Sequence, residues 1–282
     1  MKIIAYKYQG AGNDFVIIDN RKINLTLSNQ KIKFLCDRRF GIGGDGLMLL
    51  ESSVKYDFSM RYFNSDGGEG TMCGNGGRCL VAFAAHCGIK NFEFEAIDGV
   101  HRATMLEYAP QRCMVELGMI DVTEVKEYSP KSIFLNTGSP HLVIFVESLK
   151  DFDVIGQGKL WCHHQHFPGG TNVNFVHANW GRFSIPGIEE LSVRTFERGV
   201  EDETYACGTG VTASAIAYHN LVRKNNIIQG KMNPPTPEFV STRIHTLGDL
   251  LEVKFKYMGK DNYSEIKLIG PATFVFSCEM DI

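Results

Sequence analysis

The sequence predicts an α+β fold built from two similar halves, each a curved sheet wrapped around one buried helix. Three observations carry this. Cys-Gly-x-Gly occurs twice, as "CGNGGRCLVAFA" from Cys73 and "CGTGVTASAIA" from Cys207, close to half a chain length apart. Each copy opens a helix whose first turns are small or apolar nearly all the way round, and a helix without a polar face is buried on every side. Elsewhere short alternating segments bounded by turn residues dominate, which is the pattern of strands. Self-similarity of this kind marks an internal repeat.

The elements follow in order. Residues 1–19 read as two alternating strands joined at the turn-rich "QGAGND". A charged amphipathic helix is expected over residues 29–39, ending before Gly41, and short strands over 58–64, 92–96 and 113–117. The first central helix is expected over residues 74–86, with Gly88 as its C-terminal stop. Past Met119 come "IFLNTGSPHLVIFV" (strand, turn, strand), "TNVNFVHA", "LSVRTFERG", the second central helix over 208–224, "LLEVKFKYMG" and a last strand "ATFVFSCEM". The expected division is an N-terminal domain of residues 1–118, completed by a C-terminal strand 272–282, and a C-terminal domain of 119–271.

Composition narrows the function classes. The 282 residues are 44% hydrophobic and 22% charged with a net charge of -3, which fits a soluble globular protein rather than a nucleic-acid binder. No apolar run reaches the roughly 18 residues of a membrane span. The start alternates like a strand, so no signal peptide is expected. Eight cysteines without a CxxC are too sparse for a disulfide scaffold, and the cytoplasm is the expected compartment.

The chemistry rests on what a helix N-terminus does. Its first amides lack partners and carry about half a positive charge, which favours a thiolate at a capping cysteine and binds a carboxylate. Glycines at 74, 76, 208 and 210 let a ligand come close to those amides. If the halves face each other, two thiols and two amide nests converge on one ligand in the cleft between them. One thiolate could then remove an α-proton while the other thiol returns a proton from the opposite face, inverting the centre.

Six motifs carry a resemblance. "GAGNDF" at 10–15, "FNSDGGEGTMCGNGGRC" at 63–79, "TGSPH" at 137–141, "TNVNF" at 171–175, "FERGVEDETYACGTG" at 196–210 and "GPA" at 270–272 resemble the diaminopimelate epimerase family over essentially the whole chain. The resemblance implies two pseudo-symmetric domains, each a barrel-like, mostly antiparallel sheet around a central helix. It implies interconversion of LL- and meso-diaminopimelate on the bacterial route to lysine and peptidoglycan. No cofactor and no metal are implied, and a homodimer is plausible by the same analogy. Cys73 and Cys207 would be the acid/base pair, with His141 and Glu197 assisting. Gly74, Asn75, Gly208 and Thr209 would bind the reacting carboxylate. Asn13, Asn64, Asn172, Glu197 and Arg198 would hold the rest of the substrate. Two positions depart from the family pattern, Ser139 where Asn is common and Gly46 where many members carry Gln; both would be substrate-contacting.

Other readings are weaker. "GIGGDG" at 41–46 fits a dinucleotide fingerprint by letter, but it follows a charged helix instead of a strand. "HHQH" at 163–166 could be a metal cluster, yet no carboxylate or cysteine pattern completes it in the sequence. A proline or hydroxyproline racemase would share the paired acid/base groups but has no need of a polar distal pocket. The remaining cysteines read as small buried hydrophobes.

Overall fold

The computed structural model describes residues 1–178, 189–231 and 236–281. The chain divides into two compact units, Met1–Leu117 with Gly270–Ile282, and Gly118–Ile269.

Unit 1 contains β1 (Lys2–Gly10), β2 (Asn13–Asp19), α1 (Asn29–Cys36), β3 (Gly46–Glu51), β4 (Phe58–Asn64), β5 (Glu69–Gly70), α2 (Gly74–His86), β6 (Glu93–Ala96), β7 (Gly99–Glu107) and β8 (Arg112–Gly118). Pairing runs β1–β2 antiparallel, β2–β3 parallel, β3–β4 antiparallel, β4–β6 parallel, then β6–β7 and β7–β8 antiparallel. The C-terminal part of the last strand pairs with both β8 and β1 and closes the circuit.

Unit 2 contains β9 (Val125–Ser129), β10 (Ser132–Asn136), β11 (Pro140–Phe145), α3 (Val154–Cys162), β12 (Asn172–Ala178), β13 (Glu189–Glu197), β14 (Asp202–Thr204), α4 (Gly208–Ile228), β15 (Glu238–His245) and β16 (Leu250–Gly259). The last strand, β17 (Asn262–Asp281), begins here. The pairings β9–β10, β10–β11, β11–β12, β12–β13, β13–β15, β15–β16 and β16–β17 repeat the same series, parallel only at β11–β12 and β13–β15. A bridge between Val122 and Tyr263 joins the two ends of the series. In each unit a short helix (α1, α3) makes the first parallel crossover, and the central helix (α2, α4) makes the second. The duplication is therefore visible strand by strand.

Burial explains why each sheet curls. α2 is buried from Gly74 to Ala84, and α4 is buried over Gly208 and over Gly210–Asn220. Phe15, Ile17, Leu80 and Phe83 in unit 1, and Leu142, Phe175, Phe196 and Ile216 in unit 2, are at most 1% exposed. Each such side chain contributes about 1.5–3 kcal/mol of transfer free energy. α2 stops where expected: Gly88 takes φ 87°, and Ile89 N–H returns to the Ala84 carbonyl.

Several bounds differ from expectation. α1 ends at Cys36 instead of 39 because Asp37 turns extended and its carboxylate takes the amides of Arg39 and Phe40. α4 continues to Ile228, past Lys224, since no glycine or proline interrupts it before Gly230. β3 was not anticipated: "GLMLLE" is a short continuous apolar run, buried on both faces between parallel β2 and antiparallel β4. β17 begins ten residues before "ATFVFSCEM", at Asn262, and its length serves both units. Among the described residues no helix is long and apolar enough to cross a membrane.

Candidate active site

Unit 1 brings Asn13, Asn64, Cys73, Gly74 and Asn75 to the ends of its strands and the head of α2. Cys73 is the N-cap in extended conformation (φ -104°, ψ 145°), and the Gly76 N–H donates to its Sγ at 3.2 Å. A Cβ at Gly76 would lie 3.0 Å from that sulfur, a tight contact that the thiol would have to yield to. Behind the cap, Arg78 is completely buried; its Nη1 donates to the Gly74 carbonyl at 3.2 Å and its Nη2 to Asn75 Oδ1 at 2.8 Å. The guanidinium thus fixes the amide nest and adds positive charge beside it.

Asn13 is set by an ion cluster. Lys7 pairs with Asp14 at 2.7 Å, Arg38 grips Asp14 with two bonds of 2.8 and 2.7 Å, and Arg38 also reaches Asp45 at 2.7 Å. Burial alone would raise the Asp14 pKa, but the bonds from Arg38 and Lys7 outweigh it and hold the carboxyl well below the usual range. Asp45 accepts from the Asn13 side-chain amide and from the Asp14 N–H. This gives "GIGGDG" its role. The loop is stitched to the end of α1 through Leu35 and Cys36 carbonyls and feeds β3. Helix–loop–strand is the reverse of a dinucleotide fingerprint, so that reading falls.

At Gly46 a Cβ would stand 2.5 Å from the Tyr62 ring and 2.6 Å from the Phe63 carbonyl. Tyr62 fills the space that a side chain at 46 would claim, so Gly46 itself offers a ligand no side chain. Asn64 lies opposite Gly46 in the β3–β4 register.

Unit 2 brings His141, Asn172, Glu197, Arg198, Cys207, Gly208 and Thr209 together in the same way. Cys207 is the extended N-cap of α4, and its Sγ lies 3.4 Å from Thr209 Oγ1. His141, fully buried, meets Thr209 Oγ1 at 2.9 Å and Ser139 Oγ at 3.0 Å through Nε2, and Asn174 Nδ2 at 3.0 Å through Nδ1. Burial, helped by the charge of Arg198, pushes the His141 pKa down to about 3. It is a neutral ring at ordinary pH. Asn172 spans the site: Nδ2 donates to Ser139 Oγ and the Pro140 carbonyl, while Oδ1 accepts the Arg198 N–H at 3.0 Å. The Arg198 Nη1 is anchored on the Gly169 carbonyl at 2.8 Å. Glu197 accepts from the Thr204 hydroxyl across the β13–β14 turn.

Sequence reasoning missed Arg78, Asn174 and Thr195. Arg78 left a trace, a lone charge inside an apolar helix. "TNVNF" contained Asn174, but only the fold shows that both its asparagines face α4. The metal reading of "HHQH" needs correcting in one respect: the fold does supply a carboxylate and a cysteine. Ligand atoms of Cys162, His163 and Glu201 lie within 4.8 Å of one another. However, the Cys162 side chain belongs to the apolar cluster of Val154, Val173, Phe175 and Phe196, and burial raises its thiol pKa. His163 and Glu201 are accounted for by their own 2.7 Å ion pair.

The duplicated barrel around a central helix is a fold that solved structures share. A PhzF-family phenazine biosynthesis protein from Bacillus anthracis matches with a TM-score of 0.75 over 100% of both chains at 14% identity. A hydroxyproline epimerase from Agrobacterium vitis matches with a TM-score of 0.60 over 99% of this chain and 92% of its own, at 12% identity. Those identities establish the fold alone. The sequence goes further: the profile of the diaminopimelate epimerase family matches residues 5–119 and 133–275. Relatives named diaminopimelate epimerase are 46% identical in Flavobacterium psychrophilum (96% of this chain, 97% of the relative) and 41% identical in Chlorobaculum tepidum (95% and 97%). The chain belongs to the diaminopimelate epimerase family.

Proposed function

We propose that this protein interconverts LL- and meso-2,6-diaminopimelate, with Cys73 and Cys207 as the acid/base pair. The observation that carries the reading is the duplicated cap: in each unit the residue that begins the buried central helix is a cysteine followed by Gly-x-Gly. One thiolate takes the α-proton and the other thiol delivers a proton to the opposite face, so the pair exchanges protonation states with each inversion. The amides of Gly74, Asn75, Gly208 and Thr209 hold the reacting carboxylate as it gains enolate character, at about 3 kcal/mol per well-aimed donor. His141 and Glu197 assist, and Asn13, Asn64, Asn172, Glu197 and Arg198 bind the distal amino-acid head. The reading includes no cofactor, a cytoplasmic location and a homodimer.

A racemase acting on proline or hydroxyproline shares the fold but has no distal head to bind, and the Asn172–Arg198 arrangement is superfluous for it. The deciding experiment is turnover in deuterated water with purified, chelator-treated protein and no pyridoxal phosphate. Early product should carry solvent deuterium at the α-carbon while recovered substrate stays protiated. Equal labelling of both pools from the start would mean one exchanging base and defeat the two-thiol reading. Cys73→Ala and Cys207→Ala should each abolish nearly all epimerisation.

A further inference from the structure

The two repeats differ beneath their cysteines. In unit 1 the β2–β3 register sets Phe15 opposite Gly46, with Met48 two residues on, and both side chains approach Gly76 at the head of α2. In unit 2 the β11–β12 register sets His141 opposite Asn172, with Asn174 two residues on, and Asn174 approaches Gly210 at the head of α4. Phe15 and Met48 are thus matched by His141 and Asn174. Both polar residues are 0% exposed. Burying them costs free energy unless their donors and acceptors are used, so packing alone does not account for them.

One group with a single option, the Leu142 carbonyl, orients the Asn174 amide. Asn174 Nδ2 lies 3.5 Å from the Leu142 carbonyl, which can only accept, and the Thr195 hydroxyl donates to Asn174 Oδ1 at 2.9 Å. Nδ2 therefore donates to His141 Nδ1 at 3.0 Å, and in a neutral ring the proton must then be on Nε2. Nε2–H then faces two hydroxyl oxygens, Thr209 Oγ1 at 2.9 Å and Ser139 Oγ at 3.0 Å, and donates into that pair. Thr209 now has its own proton to give. Two acceptors face it, Ser139 Oγ at 3.2 Å and Cys207 Sγ at 3.4 Å; Ser139 Oγ already accepts from Asn172 Nδ2 at 3.2 Å, and its own hydroxyl proton can turn toward Thr209, which leaves the sulfur for the Thr209 proton.

We infer that Asn174 is a positioning residue for Cys207: it holds His141 as the Nε2–H tautomer, and that tautomer turns the Thr209 hydroxyl onto the Cys207 sulfur. A hydroxyl donated to sulfur favours the thiolate. The low His141 pKa, set by burial and the Arg198 charge, keeps the ring neutral and the relay in one state across the working pH range. Cys73 is served differently, by the Gly76 N–H, so the two thiols are tuned by different means. The inference deepens the proposed function, resting on Cys207 as an acid/base group, but it is read from the thiol and not from turnover.

The test joins two measurements. Nitrogen NMR on histidine-labelled protein, with His141 assigned by its loss in His141→Gln, should show Nε2 protonated and Nδ1 bare in the wild type. Asn174→Asp accepts where the amide donated, so it should move the proton to Nδ1 above neutral pH. Alkylation of Cys207 by iodoacetamide, mapped by peptide mass, should then slow about tenfold at a given pH below its plateau, the size expected for one lost bond to a charged group. Cys73 in the same sample should be unchanged. Thr209→Val removes the hydroxyl and keeps the backbone amides, and should slow Cys207 in the same direction even if Asn174→Asp does not fold. A wild-type ring protonated on Nδ1, or Cys207 profiles in both variants superimposable on the wild type, would overturn the inference. Retained epimerisation in Cys207→Ala would instead sink the functional reading and leave the relay standing.

Discussion

Arg78 Nη2 donates to Asn75 Oδ1 at 2.8 Å, and both residues are buried in the first turns of the same helix. The guanidinium also donates to the Gly74 carbonyl and, more distantly, to the Pro271 carbonyl at 3.5 Å. Arg78→Met keeps most of the volume and removes the donors. Each buried acceptor left short costs about 1–3 kcal/mol, so the variant should lose about 2–4 kcal/mol of stability. Urea unfolding measures this directly. A midpoint equal to that of the wild type would show that the guanidinium is not organising the nest.

His141 gives the protein an acid-sensitive element whose sign can be worked out. Its pKa is lowered from 6.5 to about 3 by burial and by Arg198. An unfolded chain therefore binds a proton at this ring between those values while the folded chain does not. Stability from this group is complete above about pH 6.5 and falls by up to about 1.4 kcal/mol for each pH unit below it, until pH 3. His141→Gln should unfold with a shallower dependence on pH between 6 and 4 than the wild type. Parallel curves would mean that the ring is protonated in the fold.

Much of this fold was legible because two sequence signals have a direct physical cause. An all-apolar helix must be buried, and α2 fell at Gly74–His86, the span read from its apolar run and from Gly88. Among the parts that stayed hidden, two have a clear physical cause. β3 lacks alternation because both its faces are covered, and a buried apolar run of five residues looks the same whether strand or helix. The polar support of the site was hidden for another reason. Asn174 and Thr195 act through partners far away in sequence, and only the register of β11, β12 and β13 brings them toward His141. Thr195 pairs directly with Asn174 in that register, which no spacing rule reveals.

Glu189, at the start of β13, should respond to pH in the opposite sense from His141. Burial first, and the nearby Glu238 charge second, raise its pKa to about 7. Among the described residues its Oε2 finds no hydrogen-bond partner. With the folded pKa above the unfolded one, the favourable protonated form is complete below about pH 4.5 and stability is lost as pH rises through 7. Glu189→Gln removes the charge and keeps the shape, so it should be more stable than the wild type at pH 8 and little different at pH 5. Equal melting temperatures for the two proteins at pH 8 would contradict this.

Arg198 is where substrate choice should be most easily changed. Its backbone is pinned by Asn172 Oδ1 at 3.0 Å and its Nη1 by the Gly169 carbonyl at 2.8 Å, so the guanidinium is held in place before any ligand arrives. Such preorganisation suits a planar fork that grips a carboxylate with two parallel bonds, which lysine does not reproduce. Arg198→Lys should therefore raise KM for diaminopimelate strongly, and Arg198→Ala should cost on the order of 10²-fold or more in kcat/KM without unfolding the protein. A second variant reaches the same group without touching its charge. Gly170 has φ 71°, and a Cβ there would stand 2.8 Å from the Arg198 Cδ. Gly170→Ala should push the arginine off its anchor and weaken diaminopimelate turnover in the same direction by a smaller factor. Lysine, which lacks the distal carboxylate, should be a very poor substrate for the wild type. If wild type and Arg198→Ala discriminated equally between diaminopimelate and lysine, the distal carboxylate would be bound by some other residue, although the paired-cysteine mechanism could still hold.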